Sequence, residues 1–88
     1  MNERKHYHVK VLKRARKTLL SLPSQLQERL TKAINHLADD PRPSGCLRMT
    51  DVESWRIRVG DYRIVYDIED SELIVLVVAV GHRREIYR

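Results

Sequence analysis

Arg56, Arg58 and Arg63 fall within eight residues and alternate with apolar neighbours in the run Trp55-Arg56-Ile57-Arg58-Val59-Gly60-Asp61-Tyr62-Arg63-Ile64-Val65-Tyr66. Alternation places the arginines on one face of a strand pair and the apolar set on the other. If Gly60-Asp61 is the whole connection, Val59 lies opposite Tyr62, Arg58 opposite Arg63, Ile57 opposite Ile64 and Arg56 opposite Val65. Like charges directly opposite each other destabilise a hairpin unless an anion or a carboxylate sits between them. Guanidinium forks bind phosphate oxygens in bidentate fashion, so such a surface can hold several phosphates. The ordinary reading is a surface network in which Asp67, Glu53 or Glu85 neutralises the arginines. A second group follows in Gly81-His82-Arg83-Arg84-Glu85-Ile86-Tyr87-Arg88. Singly, Tyr87 reads as a packing residue beside Ile86 and His82 as the cap of a strand end. Together they leave the strand expected beside Arg63, so both groups can border one concave, positive surface.

The chain has 88 residues, with 17 Lys and Arg against 12 Asp and Glu and a net charge of +5. That sign favours RNA, DNA or an acidic protein segment as partner. Residues 1–88 read as one domain with a small core, because the length leaves no room for a second. Metal chemistry is not expected: His6, His8, His36 and Cys46 form no ligand-spaced group beyond the pair His6 and His8. No cofactor motif is present. Cys46, the one cysteine, cannot form an internal disulfide and reads as a packing residue. Met1 to Val11 lacks the apolar run of a signal peptide, and Leu73 to Val80 is too short to span a bilayer as a helix. The expectation is a cytoplasmic protein with no membrane partner.

These side chains need a scaffold, and the hydrophobic pattern supplies one. His6 to Leu12 alternates as a half-buried strand, with Tyr7, Val9 and Val11 inward. Lys13 to Leu22 reads as a helix with Ala15, Leu19 and Leu22 inward and a basic rim of Lys13, Arg14, Arg16 and Lys17. After Pro23, Ser24 and Gln27 have capping-box spacing, which predicts a second helix to about Ala38 with Leu26, Leu30, Ala33, Ile34 and Leu37 in one stripe. Asp39-Asp40-Pro41 ends it, and Arg42 to Gly45 is a loop. From Cys46 the period changes to two: a short edge strand at Leu47 and Met49, the hairpin above, a turn at Asp70-Ser71, and a central strand Leu73 to Val80 covered on both faces. The fold class is α+β: an N-terminal strand, a two-helix hairpin, then an antiparallel β-meander with the helices on one sheet face.

The segments Trp55-Arg-Ile-Arg-Val-Gly-Asp-Tyr-Arg-Ile-Val-Tyr66 and Val80-Gly-His-Arg-Arg-Glu-Ile-Tyr87, with the apolar strand between them, resemble the C-terminal half of RelE-type toxins of the RelE/ParE superfamily. The resemblance implies a type II toxin that is an mRNA interferase. Such a toxin cleaves mRNA in the ribosomal A site, inhibits translation and is neutralised by a cognate antitoxin. It also implies the roles. Arg63, Arg83 and Tyr87 match the family's catalytic positions, while Arg56 and Arg58 stand where well-known relatives carry lysine. Arg84 and His82 add to the phosphate-binding set. A ribonuclease without metal uses the substrate 2′-OH as nucleophile, so it needs a base, positive charge on the phosphorane and an acid for the 5′ oxygen. By resemblance Tyr87 is the base, Arg83 the acid or leaving-group stabiliser, and Arg63 with Arg56 or Arg58 the phosphate stabiliser; His82 and Glu85 are the alternative acid–base pair. Two other functions fit the same fold, a ParE-like DNA gyrase inhibitor without nuclease activity and a non-catalytic RNA-binding module. Codon-phased mRNA cuts, DNA damage with intact mRNA, or neither would distinguish the three.

Overall fold

A computed structural model describes residues 6–49 and 54–82. The elements follow the order β1 (His8–Val11), α1 (Lys13–Leu20), α2 (Ser24–His36), β2 (Leu47–Arg48), β3 (Trp55–Val59), β4 (Tyr62–Glu69) and β5 (Ile74–His82). They build one five-stranded sheet in the order β1-β5-β4-β3-β2. The expected meander is present, since β2 to β5 pair antiparallel in succession. The N-terminal strand joins it parallel to β5, which makes the sheet mixed. No helix is long and apolar enough to cross a membrane among the described residues.

Both helices lie on one face. Ala15 of α1, Leu30 and Ile34 of α2, and Leu37 just beyond it pack on Tyr7, Ile64, Tyr66, Val75, Val77 and Val80, with Val9, Val11, Trp55, Ile57 and Val59 partly buried around them. Burial of a side chain such as Leu30 or Ile64, each 0% exposed, contributes roughly 1.5–3 kcal/mol, and this cluster is the main source of stability.

The structure corrects several details of the sequence reading. The second helix has no capping box: Pro23 stands at the N-cap without a side-chain cap bond, and Ser24 is already helical. Gln27 instead turns its amide back to the α1–α2 connection, donating from Nε2 to the carbonyls of Leu22 at 2.7 Å and Leu20 at 3.2 Å. The hydrogen bonding thus ties the two helices together rather than closing one end. The strand Ile74–His82 is central, and the helices pack on one of its faces. Leu76 and Ala79 on the other face remain half-buried. Pairing with β4 shifts by one residue between Val65 and Tyr66, so that Val65 faces Ala79, Tyr66 faces Val77 and Val78 has no partner. This extra residue keeps both Val77 and Val80 in the core, where strict alternation would have sent one of them outward.

The β3–β4 turn matches the sequence register at every pair, from Val59 opposite Tyr62 to Arg56 opposite Val65. Gly60 has φ +60° while Asp61 does not enter the positive region, which is the type II′ pattern and needs a residue without Cβ first. Arg29 of α2 lies across this turn, its guanidinium 3.5 Å from where a Cβ on Gly60 would stand.

Two tyrosines anchor the segment after α2. The buried Tyr66 hydroxyl donates to the Pro41 carbonyl at 2.7 Å, and the Tyr7 hydroxyl donates to Asp70 Oδ1 at 2.6 Å. Burial, above all, raises the Tyr66 pKa, and the hydrogen bond to Asp70, above all, raises that of Tyr7. Both phenols therefore keep their protons to higher pH folded than unfolded. Their contribution is complete below the unfolded value near 10 and is lost as pH rises towards the folded values. The urea midpoint should fall progressively above about pH 10. Tyr66→Phe should lower stability at neutral pH by about 1–3 kcal/mol, because the buried Pro41 carbonyl loses its donor, and should flatten the alkaline decline. An unchanged alkaline slope in that variant would show that Tyr66 does not drive it.

Candidate functional site

The hairpin brings together the three arginines that the sequence singles out. Arg58 sits directly opposite Arg63, and Arg56 opposite Val65, one pair further along the same face. On its other side Arg63 faces Gly81 of β5, which presents no side chain and leaves the guanidinium room. Val65, two residues along β4 from Arg63, is 1% exposed. The result is a concavity of ≈ 230 Å³ lined by Gly45, Leu47, Arg56, Ile57, Arg58 and Arg63.

No carboxylate neutralises it among the described residues. The ion pairs there are His6 with Asp39 and Arg42 with Asp70. Asp67, one of the candidates to neutralise the cluster, accepts a 2.5 Å hydrogen bond from the Ser54 hydroxyl; Glu53 and Glu85 lie outside the described residues. Arg58 donates from Nε to the Gly60 carbonyl at 2.9 Å, which pins the base of its fork to the turn and leaves the terminal nitrogens for another acceptor. Arg56 and Arg63 are half-buried and Arg58 is exposed. Guanidiniums partly withdrawn from water act on an anion through a lower effective dielectric than surface lysines do.

His82 is placed apart from this cluster. It lies opposite Tyr62 on β4, and the two rings meet edge to face with centroids 5.7 Å apart. Tyr62 packs against the core, so His82 is on the helix side of the sheet, away from Arg63. Arg83, Arg84, Glu85 and Tyr87 fall outside the described residues. The described pocket is thus cationic, able to hold an anion, and contains no acid–base pair. No group of three or more His, Cys, Asp or Glu there could hold a metal ion.

Sequence reasoning missed the support behind the pocket. Arg42 donates to both carboxylate oxygens of Asp70, at 3.3 and 2.9 Å, and stacks over Trp55 with its guanidinium carbon 5.1 Å from the ring centroid. Asp70 also receives the Tyr7 hydroxyl, so the residue before β1, the β4–β5 turn and the loop after α2 meet at one carboxylate. That loop carries Gly45, part of the pocket wall. Arg42 and Tyr7 lie 28 and 63 residues from Asp70 in sequence, distances over which no local pattern signals contact.

Comparison with known proteins adds to this geometry. The family described as "ParE toxin of type II toxin-antitoxin system, parDE" matches residues 9–87. The mRNA interferase toxin RelE of Escherichia coli is 35% identical over 78 residues, covering 84% of this chain and 82% of that one. The intact E. coli RelBE toxin–antitoxin complex contains a chain that superposes with a TM-score of 0.73 at 30% identity, over 93% of this chain and 99% of that chain. The archaeal RelE–RelB complex from Pyrococcus horikoshii gives a TM-score of 0.81 at 24% identity, over 92% and 99%, a likeness of fold.

Proposed function

The chain belongs to the RelE/ParE superfamily of type II toxin–antitoxin toxins, and from that membership we propose that it is an endoribonuclease of the RelE kind, a metal-independent mRNA interferase that acts on the ribosome. The observation that carries this reading is the pocket of Arg56, Arg58 and Arg63, which holds three guanidiniums and no described carboxylate. A gyrase-binding surface does not require a concave phosphate site; an enzyme that passes through a dianionic phosphorane does. Arg63, at the centre between Arg58 and Gly81, contacts the scissile phosphate, with Arg56 and Arg58 on the flanking charge. Because the pocket supplies no proton donor or acceptor, the tail provides them: Tyr87 takes the 2′-OH proton, and Arg83 stabilises the departing 5′ oxygen. His82 and Glu85 are the alternative pair, but the contact of His82 with Tyr62 disfavours it. Arg84 adds to the phosphate contacts.

Primer extension on mRNA from cells expressing the protein tests the reading. Cuts phased with codons are expected. The family description favours a second reading, the ParE-type gyrase inhibitor, for which intact mRNA with DNA damage is the signature. The partner that restrains the toxin is a cognate antitoxin protein, and a basic toxin calls for an acidic one. RNA binding should also be steeply salt-dependent. Three phosphate contacts to a single strand correspond to a slope of about −2 in log K against log salt, and a slope near zero would remove the arginine pocket from the RNA interface.

A further inference from the structure

A single extra residue in β5 decides what stands beside Arg63. With Tyr66 opposite Val77, a regular ladder would continue with Ile64 opposite Ala79, Arg63 opposite Val80 and Tyr62 opposite Gly81. The observed pairs are Ile64 with Val80, Arg63 with Gly81 and Tyr62 with His82, because Val78 is left out of the pairing. Residues directly opposite each other share a face of the sheet. The regular ladder would therefore set a valine side chain against the Arg63 guanidinium. The shifted ladder sets Gly81 there and turns Val80, 6% exposed, into the core.

Consecutive carbonyls of a regular strand point to opposite edges, and a bulge breaks that alternation. Here the Val77 carbonyl accepts from the Leu12 N–H at 2.9 Å, and the next carbonyl, that of Val78, accepts from Arg14 Nε at 2.8 Å. Both donors come from the junction of β1 and α1. The pairing of β1 with β5 ends at Val11 opposite Val77, and one residue further along the donor is a side chain. Arg14 stands in the first turn of α1 beside Ala15, which is 1% exposed and seats the helix on the core. Its backbone is thereby fixed against β5. Lys13, Arg16 and Lys17 share the exposed rim with Arg14, but the bond to the strand distinguishes Arg14 from a solvated cation. Val78 is 2% exposed, and a buried carbonyl that loses its donor is destabilising.

We infer that Arg14 is a positioning residue of the arginine pocket: its Nε–H on the Val78 carbonyl locks the shifted register that leaves Gly81, and not Val80, beside Arg63. The effect on cleavage rests on the interferase reading, whereas the effect on register is independent of it. Arg14 touches no substrate. It acts through β5 on the room left for the Arg63 guanidinium, and misplacing a catalytic group by about 1 Å can cost about 10²-fold in rate.

Two variants of the full chain test this. Arg14→Met keeps the stem and deletes the donor, and Arg16→Met, at an exposed neighbour on the same helix, removes the same charge. Both are read well below their melting temperatures, so that loss of folded protein does not enter. Among cross-strand NMR contacts, Arg14→Met should weaken those beyond the bulge, Ile64 with Val80 and Tyr62 with His82, and leave Ile68 with Val75 in place. Single-turnover cleavage of ribosome-bound mRNA should fall by about tenfold to a hundredfold with ribosome affinity unchanged. Arg16→Met should keep the rate and contacts of the parent. Deleting Val78 makes β5 regular with Gly81 still opposite Arg63, so adding Arg14→Met to that deletion should cost no further rate. Parent contacts retained in Arg14→Met would overturn the inference whatever the rate, since a loss of rate alone would place Arg14 on the RNA. An equal loss of rate in Arg16→Met, or an undiminished effect of Arg14→Met in the deletion background, would overturn it too. If the contacts stay while the parent makes codon-phased cuts, the interferase reading stands and this inference falls. If the contacts weaken as expected but the parent makes no cuts, the register lock stands and the interferase reading falls.

Discussion

Arg63→Ala should abolish growth inhibition in cells expressing the protein while melting no earlier than the parent. Most surface substitutions leave both properties nearly unchanged and most core substitutions damage both, so a separation of the two is diagnostic. Arg63 faces Arg58 directly, and opposed like charges in a sheet cost about 0.2–1 kcal/mol, which the substitution relieves. The loss of the arginine stem's packing works against that gain, leaving stability unchanged or slightly raised. Catalysis loses much more. Removing one preorganised donor to a transition-state oxyanion typically lowers turnover by about 10²–10³, enough to take a toxin below its growth-inhibiting threshold. Arg63→Lys keeps the charge without the planar fork and should recover only part of the cleavage. Thermal melts and primer extension on the same preparations decide the matter. A variant that melts earlier than the parent and remains fully toxic would remove Arg63 from the phosphate site.

The hairpin was readable from sequence because its information is local. A two-residue turn with glycine first, flanked by alternating residues, fixes the register completely, and the register alone puts Arg58 against Arg63. Where the determinants are distant, the reading thins. Asp70 looks like an ordinary turn residue, yet it gathers Tyr7 and Arg42 from distant parts of the chain. The Val77-Val78 run concealed the pairing shift, since a continuous apolar stretch carries no phase. Ser24 and Gln27 had the spacing of a cap, but the carbonyls of Leu20 and Leu22 compete for the glutamine amide and win. His82 was grouped with the arginines by proximity in sequence. One residue of strand alternation sends its ring to Tyr62 on the opposite face. Residue types thus marked the chemistry, and the sheet decided which of them share a face.

Cleavage of naked RNA by the purified protein should be slow, and cleavage of mRNA held on the ribosome fast. The described pocket is lined by arginines and offers no conventional acid or base, and the tail groups proposed for proton transfer are intrinsically weak: a phenol is a poor base at neutral pH because little of it is ionised, and a guanidinium is a poor acid. The acceleration must then come largely from orientation, which can supply roughly 7–11 kcal/mol when the nucleophile and phosphate are held in line. The protein alone is poorly equipped to hold a flexible strand. Single-strand binders stack bases on exposed aromatics, whereas Tyr66 is fully buried and Trp55 and Tyr62 are packed against the core. A codon held in a fixed geometry on the ribosome would meet that need. Tyr87 is the aromatic proposed to act on the substrate, as a stacking surface or as the base, and Tyr87→Phe separates these roles by keeping the ring and deleting the hydroxyl. The expected result is a large drop in single-turnover cleavage with ribosome binding unchanged. Unchanged cleavage would exclude Tyr87 as base and move proton transfer to His82 and Glu85. Rapid cutting of naked mRNA by the parent would overturn positioning by the ribosome as the main source of rate.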